Sequence, residues 1–122
     1  NPLRTPMSHG IHLAISSDVL PIGPMVGLYA AVTRSGLSGR VFAEGEALTM
    51  LEALSAYTIG GAYLSFEEKL KGSIEPGKYA DLIVLNQDLL EIEHSEIMDT
   101  KVFSTWLGGR LVYEDKSAKW IN

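Results

Sequence analysis

Asp18 ends the apolar run Leu13-Ala14-Ile15-Ser16-Ser17 and opens a loop punctuated by Pro21, Gly23 and Pro24. A carboxylate at that point can take a proton or ligate a divalent cation. In parallel α/β architectures, the loops after the carboxyl ends of strands are where ligands and catalytic groups collect. The competing reading is local: Ser and Asp favour turns and caps because their side chains bond nearby amides. Spacing alone leaves both readings open, and the turn is the commoner outcome.

The other candidates read more easily as structure. His9 and His12 form H-x-x-H, which on a helix would place two imidazoles on one face as metal ligands, but Gly10 between them argues against a helix. His94 lies among Glu91, Glu93 and Glu96, where a solvated acidic segment beside a short helical turn is the ordinary explanation. Ser16 and Ser17 lack the G-x-S-x-G context of a nucleophile elbow. Glu67-Glu68-Lys69 is a charged turn, and "GSIEPGKYADLIVL" has no phosphate-loop spacing despite its Gly and Lys.

These residues need elements to hold them. The run 11–17, "IHLAISS", is short and mostly apolar behind Gly10, the pattern of a strand buried on both faces of a parallel sheet. After the Pro/Gly loop, helix formers resume over 25–34 and stop before Ser35-Gly36. Thr49-Met50-Leu51-Glu52 spells a capping box, so a helix should start at Met50 and run toward Leu64, ended or kinked by Gly60-Gly61. Beyond Phe66 the pattern changes to strands, expected at 79–86, 101–107 and 110–114, the last two a hairpin about Gly108-Gly109. That ribbon is apolar on both faces and needs a partner layer.

Composition narrows the class. With 46% hydrophobic and 20% charged residues, the 122-residue chain has the balance of one soluble globular domain. A net charge of −5 with ten scattered basic residues gives no footprint for nucleic acid or an anionic membrane. No apolar run reaches the roughly 20 residues that cross a bilayer. The absence of cysteine excludes disulfides and thiolate metal sites and is compatible with the cytoplasm, the expected location. The first residues carry neither an initiator Met nor a signal-peptide core, and the chain reads as a piece of something longer.

Three segments together carry a resemblance: "SSDVLPIGPMVGLYAAVTR", "LTMLEALSAYTIGGAYLSFEEKLKGSIEPGKYADLIVLNQDLL" and "VFSTWLGGRLVYE". From about residue 3 to residue 114 the sequence resembles the C-terminal third of the metal-dependent amidohydrolase superfamily, in its amidohydrolase-3 or YtcJ-like branch. "GSIEPGKYADLIVL" is the most specific signature, similar to that of dihydroorotases, hydantoinases, imidazolonepropionases and cytosine deaminases.

The resemblance implies an α/β fold: the C-terminal part of a (β/α)8 TIM barrel, its last strand and helices, plus β-strands of a small composite β-sandwich. Residues 1–66 would be the barrel end, with strand 11–17 and helices 25–34 and 50–64, and residues 67–122 the sandwich strands and tail. Asp18 would fall at the family's aspartate, both catalytic residue and metal ligand, handling the proton of the attacking water. Leu20, Pro21 and Ile22 would line a substrate rim. The resemblance implies a hydrolase of non-peptide or cyclic amide C–N bonds, a small-molecule amide-type substrate and a divalent metal, zinc by expectation, in the full-length protein. A catalytic zinc site takes about three protein ligands, and the family's H-x-H pair has no counterpart here. This chain alone is therefore expected to bind no metal, to be inactive, and to expose surfaces that favour self-association. The alternative readings are a non-catalytic β-rich binding or assembly module, or a degenerate amidohydrolase with a regulatory role.

Overall fold

The computed structural model describes residues 1–17, 23–36, 38–117 and 119. Among these, four helices precede three strands: α1 (Arg4–Ser8), α2 (Pro24–Thr33), α3 (Met50–Tyr57), α4 (Ile59–Leu64), β1 (Leu82–Leu85), β2 (Val102–Leu107) and β3 (Arg110–Glu114). Short 3-10 turns at Glu44–Glu46 and His94–Asp99 fill the connections.

Each helix start has a local cause. Pro24 opens α2 with its φ already helical and no N–H to leave unpaired. α3 begins in a capping box: Glu52 N–H donates to Thr49 Oγ1 at 3.3 Å, and Thr49 N–H donates to Glu52 Oε2 at 2.7 Å. The helical run from Met50 to Leu64 is broken at Thr58, which caps both α3 and α4 with φ −112° and ψ −87°. α1 is stapled by a distant carboxylate, since Glu46 Oε2 accepts the N–H groups of Leu3 at 2.8 Å and Thr5 at 2.9 Å. Those amides are the unpaired donors of a helix start.

The strand expected over 11–17 is not formed. Those residues have no regular secondary structure, because no other described strand lies alongside them to complete a ladder. Their place is taken by a dock on the helices: Ile15 N–H donates to Ala56 O at 3.2 Å.

The core gathers Leu28, Ala31 and Val32 of α2, Leu48, Met50 and Ala53 at α3, and Leu89 and Ile97 from the β1–β2 connection. α2 packs on both α3 and the 94–99 turn, where Ile97 is fully buried. Two buried amides brace that connection. Gln87 Nε2 donates to Thr100 Oγ1 at 2.7 Å, and Asn86 Oδ1 accepts the Lys101 N–H at 2.7 Å, so neither side chain is stranded.

The sheet is an antiparallel meander ordered β1-β2-β3. Leu82 pairs with Trp106 and Ser104 with Glu114; the β2–β3 register shifts by one residue between Thr105 and Trp106. The hairpin turns at Gly108 (φ 56°) and Gly109 (φ 77°), two successive left-handed residues that match the twist of the flanking strands. Every residue of β3 is exposed.

Candidate active site

The residues that sequence reasoning places at the centre of the chemistry, Asp18, Leu20, Pro21 and Ile22, lie outside the described residues. What the structure describes is the frame on either side of them. On the N-terminal side, residues 13–15 are laid against α3 and α4 so tightly that a Cβ on Gly60 would stand 2.1 Å from the Leu13 carbonyl oxygen. On the C-terminal side, α2 crosses α3 where the Tyr57 hydroxyl takes the space a Cβ on Gly27 would fill. The described segments on either side of residues 18–22 are thus fixed by glycines that admit a close neighbour. Sequence reasoning marks neither Gly27 nor Gly60 as a packing residue, because a close approach leaves no periodic trace in sequence.

The Tyr57 hydroxyl is buried and has no hydrogen-bond partner among the described residues. Burial raises the pKa of the phenol above its ordinary value, so Tyr57 stays neutral.

Between α1, the 12–13 segment and the α3–α4 corner lies a cavity of about 410 Å³ whose lining includes Met7, Ala56, Ile59 and Glu68. Here the His12 ring stacks on Tyr63 with centroids 4.0 Å apart and planes 23° from parallel. His9 has other company: its Nδ1 donates to Thr5 O at 2.8 Å, which fixes the proton on Nδ1 because a carbonyl only accepts. The H-x-x-H pair is therefore split between a helix C-terminus and an aromatic stack.

The remaining candidates fall into structural roles. Glu93 and Glu96, flanking His94, cap the 3-10 turn that carries Ile97. Glu67 accepts from Ser65 Oγ at 2.7 Å and pairs with Lys71 at 2.7 Å, which lowers its pKa below the ordinary carboxylate value. In the Glu75-Pro76-Gly77-Lys78 turn, Lys78 N–H donates to Glu75 O at 3.1 Å and Gly77 sits at φ 94°. Asp81, three residues on, accepts the Gly108 N–H at 2.7 Å and ties this segment to the hairpin turn.

Whether these residues suit a catalytic metal can be judged from the donors. Among the described residues, no group of three or more His, Cys, Asp or Glu could hold an ion. The two N-terminal histidines are separately engaged, and Asp18 adds one carboxylate, so the donors present do not make a catalytic cage by themselves. No described helix is long and apolar enough to cross a membrane.

Comparison with known proteins assigns the family. The sequence pattern of the amidohydrolase family, in its amidohydrolase-3 group, matches residues 1–113. The chain is 35% identical over 116 residues to an N-substituted formamide deformylase of Arthrobacter pascens, covering 93% of this chain and 21% of that protein. It is 34% identical over 116 residues to the putative amidohydrolase YtcJ of Bacillus subtilis (strain 168), covering 91% and 22%. Among solved structures, the guanine deaminase of E. coli superposes with a TM-score of 0.67 at 21% identity, over 94% of this chain and 31% of that one. At that identity the likeness speaks to fold alone. The chain spans about a fifth of the length of the curated relatives it matches. With a match running from the first residue into β3, at residue 113, the chain belongs to the amidohydrolase family.

Proposed function

We propose that this chain is the C-terminal portion of a metal-dependent hydrolase that cleaves carbon–nitrogen bonds of small amide-type molecules, with N-substituted formamides, N-acyl amines and cyclic amides as the substrate class. The observation that carries the reading is the 35% identity, over 93% of the chain, with a protein named for deformylating N-substituted formamides. The guanine deaminase likeness supports the same fold.

In this reading residues 1–66 form the end of a (β/α)8 barrel and residues 67–122 supply strands of a small β-sandwich. Asp18 takes the proton of the attacking water and returns it to the departing nitrogen, a two-way transfer that a carboxylate performs when it stands within hydrogen-bond reach of both atoms. Leu20, Pro21 and Ile22 make an apolar rim for the acyl or N-substituent. Ligands for the divalent ion come from the rest of the protein, with Asp18 the one contributed here. The frame that would hold the Asp18 loop is the pair of close contacts at Gly60 and Gly27.

The test is turnover of a panel of N-substituted formamides, N-acyl amino acids and cyclic amides by the polypeptide expressed from its natural start, with metal content per chain measured in parallel. Hydrolysis with bound metal supports the reading. Absence of both in a folded protein contradicts it.

A further inference from the structure

Helix α4 ends in a Schellman motif: Phe66 N–H donates to Tyr63 O at 3.0 Å and Glu67 N–H donates to Ala62 O at 2.9 Å. The motif requires a left-handed residue just after the cap, and Phe66 takes that position with φ 58°. Glycine fills such a site without steric cost, whereas the Cβ of any other residue crowds the neighbouring backbone. An aromatic residue there is an outlier. Phe66 is also 92% exposed, and Leu64, two residues earlier, is 64% exposed. Two independent costs, a strained backbone and a large ring in water, fall on one residue, and no ring contact among the described residues offsets either. Strain held where glycine would remove it points to a use for the side chain, and a large ring left almost wholly in water beside that strain points to a contact.

We infer that the Phe66 ring, together with Leu64 two residues earlier, is an anchor that inserts into an apolar pocket on polypeptide of the same protein lying outside this chain. The relatives supply the reason for choosing that occupant. They align with more than nine tenths of these residues yet over only 21% and 22% of their own length, so most of their polypeptide lies elsewhere and is tethered to the equivalent of this surface. The inference rests on the reading that the chain is part of a longer hydrolase.

Hydroxyl-radical footprinting with mass spectrometry, run on the 122-residue chain and on the polypeptide expressed from its natural start, tests it. Burying a ring that is now 92% exposed sharply lowers its oxidation in the longer polypeptide, and Leu64 follows. Equal rates in the two proteins overturn the anchor. So does protection that appears in the short chain and grows with its concentration, because then a second copy covers the ring. Phe66→Gly gives a second readout of opposite sign: it raises the melting temperature of the short chain by relieving the left-handed strain and lowers that of the longer polypeptide by removing the anchor. A rise in both contradicts the inference. A longer polypeptide that hydrolyses amides while Phe66 stays fully reactive defeats the anchor and leaves the proposed function standing; protection without turnover supports the anchor and counts against the function.

Discussion

The Tyr57 hydroxyl lies 1.7 Å from the point where a Cβ on Gly27 would stand, so α2 and α3 cross as closely as they do because residue 27 has no side chain. The ring carbons follow at 2.9 Å and 3.4 Å, and a rigid aromatic cannot fold its tip away. Gly27→Ala is expected to cost about 1–3 kcal/mol, the usual range for overpacking. Tyr57→Phe should act the other way. It removes a buried hydroxyl that has no partner among the described residues, and relief of that unmet desolvation is worth about 1 kcal/mol. Urea denaturation of the two variants checks both signs; a destabilised Tyr57→Phe would mean that the hydroxyl has a partner after all.

Gly60→Ala should be more damaging, because the atom in its way is the Leu13 backbone carbonyl, 2.1 Å from the new Cβ, rather than the end of a side chain. We expect a loss of about 3 kcal/mol, at the upper end for a single overpacking change. The 13–15 segment should lift from the helices, and amide exchange at Ile15, which donates to Ala56 O, should accelerate. Unchanged exchange at Ile15 would separate the glycine from the dock.

Acid should loosen the N-terminal segment. Glu46 has its pKa lowered, chiefly by the Thr5 side-chain hydrogen bond, and Glu52 has its pKa lowered chiefly by the Thr49 backbone N–H. Each carboxylate binds protons more weakly folded than unfolded, so its stabilisation is fully present above the ordinary carboxylate pKa and is lost as pH falls toward the lowered folded values. Glu46→Gln should flatten the fall in melting temperature below the ordinary carboxylate range. An acid limb as steep in the variant as in the parent would remove Glu46 from the account.

Asp81→Ala should weaken the sheet by about 1 kcal/mol, the net worth of one hydrogen bond, because the Gly108 amide loses its acceptor at the hairpin turn. The loss should appear as faster amide exchange at Gly108 with α3 unaffected. Equal effects on the helices would mean that the sheet does not open independently.

The sequence made some of these features readable and hid others for physical reasons. The Thr49–Glu52 capping box is local chemistry written in four consecutive residues, and the helix starts where it says. The Gly108-Gly109 hairpin is equally local. The strand at 11–17 misled because an apolar run bounded by glycine describes burial, and a strand also needs a neighbour whose presence no single segment can announce. Ile97 was hidden for the converse reason: it sits among Glu93, His94, Glu96 and Asp99, so composition speaks for solvent while a 3-10 turn delivers one side chain to the core beneath α2. For the candidate site, the position of Asp18 after an apolar run raised it as a candidate but left the turn reading open, the family resemblance favoured the catalytic one, and residues 18–22 lie outside the described residues. The close contacts at Gly60, against the segment before residues 18–22, and at Gly27, in the segment after them, are visible only in three dimensions.

The measurement that bears most directly on the central claim is the pH–rate profile of amide hydrolysis for the polypeptide expressed from its natural start, compared with its Asp18→Asn variant. The account predicts a fall in kcat of about 10²–10⁴-fold, the usual worth of a positioned acid–base group, together with loss of the acidic limb of the profile, while substrate still binds. Full turnover with an unchanged acidic limb in a folded Asp18→Asn protein would contradict it.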